Sequence, residues 1–188
     1  MSGRHLLTIS EAAQCLRDGA VVAYPTEAVY GLGCDPANES AVRHLLTLKG
    51  RPEEAGLILI ADDFDRFEPF IRPQESRLTE QAMATWPGPV TWLFPRGETV
   101  PGWLTGKHQT MAIRVTDHPV CRELCAAFGG AIVSTSANPR QRAPAISTEQ
   151  VEAYFGSALC GTVAGELGKK GRPSEIRDLV TGRVLREG

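Results

Sequence analysis

Between residues 40 and 61 the hydrophobic period of the chain changes once, and that change fixes a helix, a turn and a strand in order. In residues 40–49 (SAVRHLLTLK), Val42, Leu45, Leu46 and Leu48 recur at helical spacing. Residues 56–61 (GLILIA) form a short unbroken apolar run of the kind that builds a buried strand. Pro52 disfavours helical geometry in the residue before it, so the helix ends at or before Arg51. The junction Lys49-Gly50-Arg51-Pro52 therefore sets two cations where a helix gives way to a loop. They are either an anion-binding pair or charges that complement the helix dipole.

The same alternation runs through the chain. Ser10 is a cap-type residue before a helix over 11–17, and a strand over 20–24 (AVVAY) is stopped by Pro25. Thr26 and Glu27 follow, and Gly31-Leu32-Gly33 predicts a flexible backbone. A polar stretch with Phe64, Phe67 and Phe70 leads to a helix over 75–86. The rigid turn Trp86-Pro87-Gly88-Pro89 precedes a strand over 90–94, and 96–109 is rich in Gly and Pro and reads as loop. A strand over 111–115 (MAIRV) precedes a helix over 119–128 capped by Thr116 or Asp117. A strand over 131–133 enters 134–138 (STSAN), 139–144 is loop, and 148–155 is a helix. Short strands are expected at 159–163, 176–180 and 184–186. The mixture predicts an α/β or α+β fold, a twisted mixed sheet flanked by helices, as a single domain over residues 1–188.

At 188 residues, with 42% hydrophobic and 22% charged, such a domain needs no covalent staples. The five cysteines form no C-x-x-C pair and are expected as reduced thiols, several of them in the core, with Cys121 and Cys125 on one helix face. The four histidines, His5, His44, His108 and His118, lack zinc-site spacing. A net charge of −2 argues against a purely electrostatic nucleic-acid binder but leaves room for a local basic groove. No leader pattern and no run of membrane-spanning length occur, so a cytoplasmic protein is expected.

Polar groups follow several strands: Thr26 and Glu27, Arg114, and the 134–138 run. In open α/β sheets, ligands gather beyond strand carboxyl ends. The 134–138 run offers hydroxyls, an amide and unobstructed backbone N–H groups that suit a phosphate or ribose, and equally suit a turn. Gly31-x-Gly33 is a poor dinucleotide fingerprint, and there is no phosphate-binding G-x-x-x-x-G-K-[ST] loop, no G-x-S-x-G and no Ser/His/Asp set. Glu27 reads as a base, a metal-associated carboxylate or a structural residue.

Taken together, these blocks resemble the YrdC-type threonylcarbamoyl-AMP synthases. The segment 24–35 (YPTEAVYGLGCD) is similar to that family's opening motif. Lys49-Gly50-Arg51-Pro52 resembles its K-x-R-P element, followed by G-L-I-L-I-A. Trp86-Pro87-Gly88-Pro89-Val90-Thr91 resembles W-P-G-P-x-T. Ala112-Ile113-Arg114-Val115 with His118-Pro119, the S-x-N of Ser136 and Asn138, and Pro173-Ser174-Glu175-Ile176-Arg177-Asp178 resemble the later blocks of the short bacterial form. The match runs in order over essentially the whole chain. One departure follows Asn138, where the family's L-S-G-x-P is replaced by Pro139-Arg140-Gln141-Arg142-Ala143-Pro144.

The resemblance implies a YrdC-like fold with a large basic cavity. It implies condensation of L-threonine, bicarbonate or CO2, and ATP into threonylcarbamoyl-AMP with release of pyrophosphate, for the t6A modification of ANN-decoding tRNAs. By the same carry-over, Lys49 and Arg51 are catalytic and, with Ser136, Asn138 and Arg186, bind the nucleotide, while Thr26, Arg114 and Thr135 hold threonine. Mg2+ arrives with ATP and has no dedicated protein ligands. Implied partners are tRNA and a threonylcarbamoyl-transferase complex of the TsaB, TsaD and TsaE kind, with no membrane. The 139–144 segment is a candidate lid. A non-catalytic structured-RNA or tRNA-binding module is the alternative, and a carbamoyl-adenylate former of the hydrogenase-maturation type a further one.

Overall fold

The computed structural model describes residues 6–168 and 174–188; His5 and Pro173, named above, lie outside them. The elements in chain order are β1 (Leu6–Leu7), α1 (Ile9–Arg17), β2 (Val22–Pro25), β3 (Tyr30–Gly33), α2 (Glu39–Lys49), β4 (Ile58–Ala61), α3 (Ser76–Met83) and β5 (Val90–Pro95). They continue with α4 (Gly102–Thr105), β6 (Thr110–Val115), α5 (Pro119–Phe128), β7 (Ile132–Ser136), α6 (Thr148–Phe155), β8 (Gly161–Val163), β9 (Glu175–Asp178) and β10 (Val184–Arg186). All ten strands join one sheet in the order β1-β8-β2-β3-β7-β4-β6-β5-β9-β10. Pairs such as β4 with β6 are parallel, whereas β7 runs antiparallel to both β3 and β4, so the sheet is mixed as expected.

Alternation of side chains divides the core between the two faces. Ala12, Ala13 and Leu16 of α1 and Cys121, Leu124 and Cys125 of α5 pack against Val22, Tyr24, Ile60 and Ile132. On the opposite face, Val42 and Leu45 of α2, Phe67 and Phe155 cover Ala23, Leu32, Leu59 and Ile113. Cys121 and Cys125 do share a buried face.

The helix ends show which local signals governed. Thr8, not Ser10, caps α1: Glu11 N–H donates to the Thr8 hydroxyl at 3.3 Å, and the Glu11 carboxylate accepts Thr8 N–H at 2.8 Å. This reciprocal pair satisfies two amide donors at once, which Ser10 inside the first turn does not do. Asn38 caps α2, and Gly50 ends it in the left-handed region at φ 58°. Neither Thr116 nor Asp117 caps α5; His118 occupies that position without a side-chain cap. The helix expected to reach residue 86 stops at Met83, and the 96–109 stretch contains α4. The strand expected at 131–133 extends through Ser136, so three of the five residues of the polar run are sheet.

Two further expectations are corrected. Cys15 and Cys160 form a disulfide across 145 residues of sequence, with Cα atoms 6.3 Å apart. Only the fold brings them together: β8 lies beside β2, which carries Cys160 to α1. Gly31 and Gly33 are not a flexible hinge but lie in β3, fully buried, with the Tyr24 ring laid across them. A Cβ on Gly33 would lie 2.8 Å from Tyr24 Cε1 and 2.8 Å from Val133 O. Those positions require glycine because an aromatic ring takes the side-chain space.

Gly33→Ala is accordingly expected to destabilise by about 1–3 kcal/mol through overpacking. Gly102→Ala, where nothing lies within 4 Å of the added Cβ, should leave the urea midpoint almost unchanged. Equilibrium urea unfolding of the two variants measures the contrast.

Candidate functional site

The antiparallel insertion of β7 decides where a ligand fits. Ser134 pairs with Ile58, Ile132 with Ile60, and Ile60 with Arg114, and directly opposed residues share a face. Ile60 and Ile132 on that face are covered by α1 and α5. Farther along, beyond those helices, Ile58, Ser134 and Arg114 border a cavity of about 500 Å3. The site thus lies over the sheet face, not beyond a row of carboxyl ends. The sequence could not show this, because strand direction is set by pairing.

Arg51, Arg114 and Arg186 all line this cavity. Burial lowers the Arg51 pKa; burial, then Arg114 and Arg51, lower that of Arg186. The cations therefore repel one another, and an anion among them relieves that repulsion. Backbone oxygens aim them. Arg51 donates from Nε and Nη2 to Gly56 O at 3.2 and 2.9 Å. Arg186 donates to Ser174 O at 3.1 and 2.6 Å, and the Ser174 hydroxyl meets that of Thr91 at 2.9 Å. The β9–β10 hairpin is what brings Arg186, at the far edge of the sheet, over the cavity.

Ser136, Thr135 and Thr26 also border the cavity, whereas Lys49 and Asn138 do not. Lys49 is buried behind the wall, and its ammonium donates to Ser136 O, to Asn138 O at 3.0 Å and to Asn138 Oδ1 at 3.3 Å. Asn138 Oδ1 accepts the Ser136 hydroxyl at 2.6 Å, and Asn138 Nδ2 donates to Arg142 O at 2.8 Å. The S-x-N pair thereby closes its own turn, and Lys49 fastens it to the end of α2. Burial and then Arg51 lower the Lys49 pKa to about 8. The two cations flanking Gly50 take different jobs because its left-handed backbone turns the chain between them. The 139–144 segment is pinned as well, with Arg140 N–H on Lys49 O at 2.8 Å and Pro144 on the cavity.

Glu27 is the feature the sequence left undecided. Its Oε1 accepts from Arg114 Nη1 and from the Thr116 hydroxyl at 2.7 Å. Burial alone would raise its pKa, but the Arg114 charge and the two hydrogen bonds outweigh burial and hold it below the usual carboxylate range. Arg114 Nε is buried and has no hydrogen-bond partner among the described residues. The Thr26 hydroxyl donates to Val29 O at 2.6 Å, closing the turn that carries Glu27. One signal for the pairing was available: Arg114 and Thr116 stand two apart at the end of a strand, on one face. Among the described residues, no group of three or more His, Cys, Asp or Glu is placed to hold a metal ion.

Removing Glu27 leaves the Arg114 charge buried without its counter-ion. Glu27→Ala is expected to destabilise by about 3–5 kcal/mol, and Glu27→Gln, which retains an acceptor, by less. Urea unfolding near neutral pH measures both.

The Sua5/YciO/YrdC family model, described as "Telomere recombination", matches residues 14–188. The threonylcarbamoyl-AMP synthase of Cellvibrio japonicus (strain Ueda107) is 51% identical over 178 residues, covering 95% of this chain and 94% of that protein. The crystal structure of P. abyssi Sua5 complexed with L-threonine superposes with a TM-score of 0.88 at 31% identity, covering 97% of this chain and 55% of that one. This chain thus spans about half the length of that Sua5. E. coli YciO superposes with a TM-score of 0.81 at 26% identity, covering 96% of this chain and 88% of that one. The chain belongs to the Sua5/YciO/YrdC family.

Proposed function

We propose that the chain is a threonylcarbamoyl-AMP synthase, an ATP-dependent nucleotidyltransferase that joins L-threonine, bicarbonate or CO2, and ATP and releases pyrophosphate. The observation that carries the reading is the convergence of Arg51, Arg114 and Arg186 on one cavity beside the hydroxyl-bearing end of β7. The name of the Cellvibrio relative and the threonine in P. abyssi Sua5 support it.

The chemistry requires charge and alignment more than an activated side chain. Threonine's amine captures CO2 and becomes an N-carboxylate, which is anionic at neutral pH. Its oxygen attacks the ATP α-phosphorus, the bond to the β-phosphate oxygen breaks, and pyrophosphate leaves with that electron pair. Arg51 and Arg186 face the phosphates, with Ser136 at the end of β7 beside them. Lys49 acts with Arg51 in catalysis from behind the wall: its ammonium holds the turn of Ser136 and Asn138 in shape. Arg114 receives the threonine carboxylate, between Thr26 and Thr135. Mg2+ enters with ATP. The one carboxylate on the cavity, Glu27, is occupied by Arg114, which leaves the ion to the phosphates.

The product is a mixed anhydride easily lost to water, so a transferase complex of the TsaB, TsaD and TsaE kind is the partner it calls for, with tRNA as final acceptor. A cytoplasmic site of action is part of this proposal. No helix among the described residues is long and apolar enough to cross a membrane. A non-catalytic RNA-binding module fits less well, because Arg51, Arg114 and Arg186 converge on one cavity lined with hydroxyls.

Pyrophosphate release from ATP that depends on both L-threonine and bicarbonate, without tRNA, tests the reading; ATP turnover indifferent to threonine refutes it. Arg51→Ala is expected to lower kcat/KM by about 10²–10³-fold with little change in Tm. Lys49 adds a pH signature. Its folded-state pKa of about 8 lies below the ordinary lysine value, so between the two the unfolded chain holds more protons. Stability contributed by this group therefore rises with pH across that window, and the rise should vanish in Lys49→Met. Paired urea titrations from pH 7.5 to 10 read the difference.

A further inference from the structure

We infer that His118 positions the amino-acid half of the cavity, acting through the extended segment 164–168 that crosses behind Thr26 and Glu27. The inference rests on the threonine-binding role proposed above for Thr26 and Arg114.

His118 is 5% exposed and makes no side-chain cap at the start of α5. Its Nε2 instead meets Glu166 O at 3.1 Å. A carbonyl only accepts, so Nε2 carries the proton. Nδ1 is buried, with no hydrogen-bond partner among the described residues.

The segment that His118 holds is seated tightly. Gly168 N–H donates to Thr26 O at 2.9 Å, and Gly165 O accepts the Tyr30 hydroxyl at 3.3 Å. A Cβ on Gly168 would lie 2.6 Å from Glu27 O and 2.7 Å from Glu27 Cα. On Gly165 it would lie 2.9 Å from Pro25 Cγ and 2.9 Å from Val120 Cγ2. Both crossing points therefore demand glycine, and any side chain there lifts the segment from the turn that carries Thr26 and Glu27.

The backbone of His118 closes the circuit from the other side. Its N–H donates to the Thr116 hydroxyl oxygen at 3.2 Å, which leaves that hydroxyl's own proton for Glu27 Oε1 at 2.7 Å. Glu27 in turn holds Arg114. One residue thus governs Thr26 through the crossing segment and the Glu27–Arg114 pair through Thr116. None of these bonds involves Arg51, Ser136 or Arg186, so the nucleotide half is left alone.

His118→Leu is expected to raise KM for L-threonine about tenfold while KM for ATP stays within about twofold, the scale of one lost buried hydrogen bond. His118→Gln, which keeps a side-chain N–H for Glu166, should recover most of the loss. Gly168→Ala should reproduce the threonine defect with the histidine intact. Hydrogen exchange should quicken at 164–168 and 26–29 in His118→Leu and stay unchanged in α2. An equal rise in both KM values, or an unchanged threonine KM in both His118→Leu and Gly168→Ala, overturns the inference. If the wild-type chain shows no threonine-dependent pyrophosphate release, the synthase reading fails by itself. The exchange comparison then decides alone, and unchanged protection at 164–168 and 26–29 overturns the role of His118.

Discussion

The grip of one buried ammonium on the end of β7 is the interaction on which the site's shape depends. Lys49 closes α2, and its three acceptors belong to Ser136 and Asn138. This couples the last turn of a helix on one face to the strand that separates the two halves of the sheet. The turn so held returns through Ala145, whose N–H and carbonyl bond Ala137 and Tyr30. Helix α2, β7 and β3 are thus fixed to one another by a charge that never reaches the cavity. Taking an ammonium out of water is unfavourable, and three oxygens offset only part of the loss, since burial still lowers the Lys49 pKa to about 8.

On the cavity side the balance is reversed. Arg51, Arg114 and Arg186 border it, while Glu27 is the one carboxylate among its lining residues. Arg51 and Arg186 are held by carbonyl acceptors just before β4 and just before β9, so the repulsion is built in before any ligand arrives. A polyanion then enters a field already aligned with it, and little rearrangement is left for the reacting state. The protein folds into this arrangement because the cations sit on the sheet and its loops, whose positions the two cores determine.

What could be read in advance follows from the range of each signal. The helix over 40–49 and the strands around GLILIA, VTWLF and MAIRV were legible, because their patterns repeat within a few residues. The cap of α1 was legible too, since Glu11 stands three residues after Thr8, the spacing of a capping box. The family motifs located Arg51, Arg114 and Ser136. They could not tell that Lys49 and Asn138 stand behind the wall, since adjacent positions in a motif diverge wherever a left-handed residue such as Gly50 intervenes. The Glu27–Arg114 pair, the Cys15–Cys160 bridge and the two-residue β1 were hidden for a related reason. Each depends on which strands become neighbours, and that is decided by segments far away in the chain.

The placement of β8 carries a consequence for how the molecule is made. It lies between β1 and β2, and the described partner of β1 is β8. As the chain leaves the ribosome, β1 must therefore wait, edge unmet, until residues 161–163 have emerged. The middle strands can assemble earlier, from β3 through β6, around their own apolar contacts. Completion is then a late, long-range event of the kind that folds slowly. The bridge between Cys15 and Cys160 can close only once β8 has docked beside β2, and so reports that this edge of the sheet is in place.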